Sequence, residues 1–360
     1  MARLKLGIIG CGGIANAKHL PSLKAINRAD IVAFCDLIPE RAEKAAKEYG
    51  VPDAKTYTDY HELLKDKSID VCYVLTPNRM HAQITIDALH AGKHVMCEKP
   101  MAKCAEDARR MVEAAKETGK KLTIGYQHRH KASAQYVKSC IGRGDLGEIY
   151  YAKAFSIRRR GTPNWGVFLN EFEQGGGPLI DIGTHSLDLT LYLMNNYEPR
   201  MVVGTKYKKV ENPECGNPWG GWKPGENTME DSAFGFIIMK NGATITLEAS
   251  WALNTDEPIP EGSCRLCGTA GGASIIRDQV TVNKGEFGRL VLTKPDLSSG
   301  GVAFYEGVQN TPPIAEQMSW LDAIEKDKSP LVLPEQACVV SELLEAIYTS
   351  AKTGEPVYFK

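Results

Sequence analysis

The 360-residue sequence predicts a two-domain α/β protein: a doubly wound parallel sheet over residues 1–126, then an α+β domain with a large, mainly antiparallel sheet over 127–360. Three observations predict it. Apolar runs alternate with helical patterns up to about residue 126, as strand–helix–strand crossovers require. A glycine-rich turn closes the first of those runs. Beyond residue 126 the apolar period shortens to two and a hairpin signal appears, as antiparallel strands require.

The run at 5–9 leads straight into Gly10-Cys11-Gly12-Gly13-Ile14-Ala15, a G-x-G-x-x-A turn followed at once by a helical pattern. Gly10 permits the tight turn, Gly12 lets backbone N–H groups approach a pyrophosphate, and Ala15 lets helix and strand pack closely. Gly13 and Ile14 open the helix, where unpaired N–H groups and the dipole favour an anion. The plain alternative is an ordinary strand–turn–helix. The next run, 31–35, ends in Asp36. A carboxylate there accepts from an adenosine ribose diol and repels a 2′-phosphate, so the turn predicts NAD over NADP. Arg41 nearby offsets part of that preference.

Pro39–Tyr49 sets Ala42, Ala45, Ala46 and Tyr49 on one face between a proline start and Gly50. Strands follow at 71–76, 94–97 and 122–125, and helices at 81–91 and 104–118, each helix with a glycine just beyond it. The ligand crevice of such a sheet lies at the carboxyl ends of its strands. In the second domain, 149–158 alternates as a half-buried strand should. Runs 234–239 and 243–249 flank Lys240-Asn241-Gly242, and Asn-Gly is the strongest short hairpin signal. Further strands centre near Arg265, Gln279 and Leu290, and helices fit 179–194, 314–325 and 335–353. A broad sheet with one helix-covered face commonly pairs subunits through the other, so a homodimer or homotetramer is expected.

Charge is nearly balanced, with 43 Lys and Arg against 44 Asp and Glu, which argues against a nucleic-acid or polybasic membrane surface. Arg158-Arg159-Arg160 is too short a run to change that. No apolar run approaches membrane-spanning length, and the N-terminus opens into a strand without signal-peptide features, so a cytoplasmic protein is expected. Cys11, Cys35, Cys72 and Cys97 lie in or beside apolar runs and read as small buried hydrophobes. Cys264-Arg265-Leu266-Cys267 is a solitary C-x-x-C without a second pair at zinc-finger spacing, and no metal is expected.

Two segments carry chemistry. The run at 94–97 ends in Cys97-Glu98-Lys99-Pro100, where Lys-Pro invites a cis peptide and would hold the lysine ammonium over the crevice. The second is Gly175-Gly176-Gly177-Pro178-Leu179-Ile180-Asp181-Ile182-Gly183-Thr184-His185-Ser186-Leu187-Asp188. On a helix Asp181 and His185 share a face, with Asp188 one turn along, and the glycines let the backbone approach another element or a ligand. A carboxylate, an imidazole and an ammonium are the groups that take a proton from an alcohol while hydride leaves its carbon. A helix ion pair or a metal pair would use the same spacing, but no H-E-x-x-H and no third ligand is evident.

Taken together, these motifs resemble the glucose–fructose oxidoreductase/inositol dehydrogenase family over essentially the full length. The resemblance rests on the G-x-G-x-x-A turn, Thr76-Pro77-Asn78 with His81, Glu98-Lys99-Pro100, and the G-G-G-x-L-x-D-x-G-x-H-x-x-D run. It implies a Rossmann domain joined to a sheet-based C-terminal domain, a bound nicotinamide dinucleotide, and a sugar or polyol substrate. It also implies Lys99, Asp181 and His185 as the catalytic set, with Thr76, Asn78, His81, Glu98 and Lys99 beside the cofactor.

Gly125-Tyr126-Gln127-His128-Arg129, Ile157-Arg158-Arg159-Arg160 with Trp165-Gly166-Val167-Phe168, and Asp231-Ser232-Ala233-Phe234-Gly235-Phe236 are similar to bacterial members that oxidise the 3-hydroxyl of glucosides, C-glycosides of plant polyphenols included. Gln127, His128, Arg158 and Asn164 then become candidates for sugar hydroxyls, with Trp165 as an apolar wall; a solvated face or interface contact is the alternative for each. Residues 211–228 hold Pro213, Pro218, Pro224, four glycines, Trp219 and Trp222 without periodicity. Long loops of this kind are often lids, and its tryptophans either stack on a sugar face or pin the loop to the body.

The expected activity is hydride transfer between a secondary hydroxyl and nicotinamide. His185 takes the hydroxyl proton, Lys99 donates to the same oxygen, and Asp181 tunes both; a lysine of depressed pKa is the alternative base. Three rivals share the motifs. One is a redox glycosidase with tightly held NAD, and another is a dinucleotide-binding sugar sensor without turnover. The third, imine or biliverdin-type reduction, has no evident need of the D-x-G-x-H helix. An NAD that stays bound between turnovers would need a second carbonyl compound to reoxidise it.

Overall fold

The computed structural model describes residues 3–210, 216–223, 225–297 and 311–360. Their contacts gather them into two compact units, 3–130 with 311–338, and 131–297 with 339–360.

In chain order the first unit holds β1 (Leu4–Ile9), α1 (Leu20–Ile26), β2 (Ala29–Cys35), α2 (Pro39–Tyr49), β3 (Lys55–Tyr57), α3 (Tyr60–Leu64), β4 (Val71–Val74), α4 (His81–His90), β5 (His94–Cys97), α5 (Ala105–Thr118) and β6 (Leu122–Ile124). The strands form one six-stranded parallel sheet in the order β3-β2-β1-β4-β5-β6. This is the doubly wound Rossmann order, which reverses direction between β1 and β4 and opens a crevice at their carboxyl ends. Every residue of β4 is buried, as expected of a strand covered by helices on both faces.

A later helix also belongs to this unit. This helix, α9 (Pro312–Glu325), contributes Trp320 and Ala323 to the core of Leu6, Ile8, Phe34 and Tyr73. Arg28, just past α1, holds it with a bond to Asp322 at 2.7 Å.

The second unit holds α6 (Ala132–Gly142), β7 (Ile149–Ile157), α7 (Glu171–Gln174), α8 (Thr184–Met194), β8 (Pro199–Tyr207), β9 (Ser232–Met239), β10 (Thr244–Ser250), β11 (Ile259–Gly268), β12 (Gly271–Ile276), β13 (Gln279–Glu286), β14 (Arg289–Thr293), most of α10 (Pro334–Thr353) and β15 (Val357–Tyr358). Its nine strands run β14-β13-β12-β11-β7-β10-β9-β8-β15, and every neighbouring pair is antiparallel except β7 with β10. The hairpin at Lys240-Asn241-Gly242 joins β9 to β10, with Gly242 at φ 88° as such a turn demands.

One departure from the sequence reading concerns the helix expected over 179–194. It starts with a π-type turn, Leu179–Gly183, before the regular α8. The wider turn falls where Gly183 passes β10; a Cβ on Gly183 would lie 2.9 Å from that of Ala249. Among the described residues no helix is long and apolar enough to cross a membrane.

Helix α10 rests on β8 and β9 through small residues. The Gly204 N–H donates to Ser350 Oγ at 3.0 Å, and a Cβ on Gly204 would come within 2.5 Å of the Ile347 carbonyl oxygen. Gly204→Ala should therefore cost about 1–3 kcal/mol, read as a lower urea midpoint. A parent-like unfolding curve would contradict this packing.

Candidate active site

Gly10 closes the first turn at φ 96°, its N–H bonded to the Cys35 carbonyl at 2.8 Å. A Cβ there would lie 2.6 Å from the Leu75 carbonyl oxygen, so only glycine fits. At Gly12 and Gly13 a Cβ would meet nothing within 4 Å, which leaves an open cradle just ahead of the π-type helical turn Ala15–His19 that leads into α1. Ile14 is 40% exposed beside it. The Asp36 carboxylate braces the turn from the end of β2, accepting from Cys11 N–H at 2.8 Å and Ile38 N–H at 2.9 Å. Burial, with Asp36 close by, pushes the Cys11 thiol up to about 12, so this cysteine is a packing group. Arg41 is exposed on α2. An open glycine cradle at a helix N-terminus with a carboxylate at the next strand end suits a dinucleotide's pyrophosphate and ribose diol.

Lys99 follows β5 at a cis Lys99–Pro100 bond and is half-buried. His81, at the start of α4, is buried with Nδ1 2.8 Å from the Pro100 carbonyl and Nε2 2.8 Å from the Thr76 carbonyl. Its ring thus spans the ends of β4 and β5, while half-buried Thr76 and Asn78 stand on the connecting segment. Glu98 is 4% exposed and lies in a charged cluster. Its Oε1 is 2.7 Å from Lys18 Nζ and 2.7 Å from His19 Nε2, and its Oε2 accepts from the Lys99 N–H at 3.0 Å. Lys18 also pairs with Glu316 Oε2 on α9 at 2.9 Å.

Burial alone would raise Glu98, but Lys18 and the His19 hydrogen bond hold its carboxyl well below the usual carboxylate range. Burial raises Glu316 to about 7 against the pull of Lys18, with the Glu98 charge adding to the rise. Burial and Lys18 lower His19. After β6, Gln127 and His128 lie in a short 3₁₀ turn, Gln127 half-buried and His128 buried.

In the second unit Asp181 sits in the π-type turn and His185 in the first turn of α8, where His185 is 4% exposed. The Trp251 indole N–H, at the end of β10, donates to Asp181 Oδ2 at 3.0 Å, and Arg158 Nη1 stands 3.9 Å from the same oxygen. Arg158 also reaches Glu261 at 3.3 Å, donates to the Gly161 carbonyl at 3.0 Å and lies 5.6 Å over the Trp219 ring. The structure thus joins Arg158, Asp181, Glu261 and two tryptophans. Asp188, further along α8, is fully buried.

The glycines before Asp181 make room for protein. A Cβ on Gly176 would fall 2.1 Å from the Tyr348 hydroxyl, and the Gly177 N–H donates to Glu230 at 3.0 Å. Asn164 Nδ2 donates to the Trp219 and Gly221 carbonyls, so the described part of the 211–228 loop is pinned. Trp219 still keeps 44% of its surface exposed, edge-to-face with Trp165 at 5.0 Å. Pro213 and Pro224 lie outside the described residues.

Two family models match the chain. "Oxidoreductase family, NAD-binding Rossmann fold" matches residues 4–126, and "Oxidoreductase family, C-terminal alpha/beta domain" matches 138–359. The chain belongs to the glucose–fructose oxidoreductase/inositol dehydrogenase family. It is 35% identical to a D-glucoside 3-dehydrogenase of Escherichia coli K12, covering 98% of this chain and 97% of that one. It is 37% identical to an inositol 2-dehydrogenase of Salmonella paratyphi B over 40% of this chain and 43% of the relative. Levoglucosan dehydrogenase solved with NADH shares the fold, with a TM-score of 0.83 at 22% identity over 99% of both chains. The chain is thus an oxidoreductase with an NAD-binding Rossmann fold.

Sequence reasoning missed several residues of this family member. Trp251 lies just past β10 and Glu261 on β11, and Lys18, His19, Glu316 and Gln317 sit on helical segments whose patterns report burial without naming a partner. One measurable consequence concerns Glu316. Its folded value of about 7 exceeds the ordinary 4.5, so the folded state keeps a proton that the unfolded chain releases between those values. Its contribution to stability is full below about pH 4.5 and is lost as pH rises towards about 7. Relative to the parent, Glu316→Gln should therefore gain thermal stability between about pH 5 and about pH 8, by several degrees. A Tm difference that does not vary with pH would contradict it.

Proposed function

We propose that this protein is an NAD-dependent dehydrogenase of a sugar, glycoside or polyol secondary hydroxyl, with the 3-hydroxyl of a glucoside as the preferred group. The observation that carries the reading is the intact set of Lys99, Asp181 and His185 in a chain matched end to end by a glucoside 3-dehydrogenase. Bound nicotinamide supplies the acceptor for the hydride. His185 takes the hydroxyl proton in its neutral form, and Lys99 donates to the same oxygen and stabilises developing negative charge. Asp181, held by Trp251 and near Arg158, lies one turn before His185 and tunes the proton-transfer groups by its charge. Trp165 and Trp219 are partly exposed and are the aromatic groups for the apolar side of a sugar. Gly10, Gly12, Gly13 and Asp36 hold the dinucleotide, with Asp36 favouring NAD over NADP. The exposed pair Val203 and Phe236, on neighbouring strands, supports homo-oligomerisation through that sheet face.

Lys99→Ala and His185→Ala should each lower kcat on methyl β-D-glucopyranoside by at least about 100-fold while NAD affinity stays near the parent's. Parental turnover in both variants would overturn the assignment. Asp36→Ala should weaken NAD by about tenfold, about 1.4 kcal/mol, and narrow its advantage over NADP. Fluorescence titration of both cofactors reads this, and an unchanged NAD-to-NADP ratio would argue against a role for Asp36.

A further inference from the structure

Glu98 divides its two oxygens between two tasks. Oε1 takes Lys18 Nζ and His19 Nε2, each at 2.7 Å, while Oε2 takes the Lys99 backbone N–H at 3.0 Å. The donors on the Oε1 side are themselves fixed. Tyr73 O–H donates to Gln317 Oε1 at 2.8 Å, which turns the Gln317 amide nitrogen towards His19 Nδ1 at 3.1 Å. Nδ1 therefore accepts, and the proton of neutral His19 is on Nε2, aimed at Glu98. Gly125 leaves the carboxylate its space, since a Cβ there would fall 2.9 Å from Glu98 Oε1. The groups Lys18, His19, Tyr73, Glu98 and Gln317 are at most 7% exposed. Burying such a set is a weak route to stability, because desolvation offsets most of the attraction. What the set does achieve is an ionised, acceptor-only carboxylate at one place, directly under the Lys99 peptide.

We infer that Glu98 is a positioning residue for Lys99, held by Lys18 and His19 so that its second oxygen fixes the Lys99 backbone. The inference rests on the reading of Lys99 as a catalytic residue. Glu98→Gln keeps the shape but replaces part of the acceptor with a donor that opposes Lys18 and His19. Gly125→Ala crowds the carboxylate without changing any charge.

With NAD and methyl β-D-glucopyranoside as probes, both variants should lose kcat by about 10- to 100-fold. KM for either probe should stay within about threefold of the parent. Glu98→Gln combined with Lys99→Met should be no slower than Lys99→Met alone, because both changes act through one side chain. Without substrate, hydrogen exchange at the Lys99 amide should be faster in Glu98→Gln than in the parent. Parental kcat in Glu98→Gln and Gly125→Ala, with Lys99→Met inactive, overturns the inference and leaves the reading of Lys99 standing. A further multiplicative loss in the double variant also overturns it. Parental turnover in Lys99→Met overturns both together.

Discussion

A carboxylate kept from water must find donors; Glu98 finds them in Lys18, His19 and the Lys99 N–H, and four segments of the first unit gather around that group. The helix after the glycine turn brings Lys18 and His19, and α9 brings Glu316 and Gln317. Strand β4 supplies Tyr73 to orient Gln317, and the residue after β6 is a glycine because the carboxylate occupies its Cβ position. Satisfying one ion therefore ties the segment after the glycine turn and α9 to the Lys99 peptide. The glycine turn and the Lys99 turn are coupled through it, since Lys18 and His19 follow the first and Glu98 precedes the second.

The second unit solves a related problem with different chemistry. Asp181 is less enclosed and accepts from a neutral donor, the Trp251 indole, with a guanidinium close by. Trp251 is itself wedged among Ile182, Met229 and Phe168, so the donor cannot drift. The sheet sets the end of β10 that carries Trp251, while Gly176 and Gly177 let Tyr348 and Glu230 press against the start of the helix. Rigid elements thus hold both the carboxylate and the imidazole one turn further on, which is the condition for proton transfer at a defined atom.

The parts legible in the sequence are those whose physics is local. A glycine at φ 96°, an acidic residue closing the next strand and a Lys-Pro turn each announce themselves within a few residues, and the Asn-Gly hairpin does the same for β9 and β10. Helix periods placed α2, α5, α8 and α10 to within a few residues. Contacts made at long range were not legible. The pattern of 314–325 reports one buried face, but the partner of that face is the core around Phe34, which no local signal names. His81 was read beside the cofactor; its contacts with the Pro100 and Thr76 carbonyls were not legible, because those neighbours meet only once β4 and β5 pair. Arg158 was read as a ligand for hydroxyls; the structure gives it Glu261, Trp219 and the approach to Asp181, partners that come from distant strands and a loop.

Hydride transfer from a ring carbon is the central claim, and isotope transfer reads it most directly. Methyl β-D-glucopyranoside carrying deuterium at C3 is incubated with the purified protein and NAD, and the cofactor is recovered for mass spectrometry. Deuterium at C4 of the nicotinamide, with a 3-keto glycoside as co-product, is the expected result. Conversion of the glycoside with no deuterium in the cofactor would contradict it.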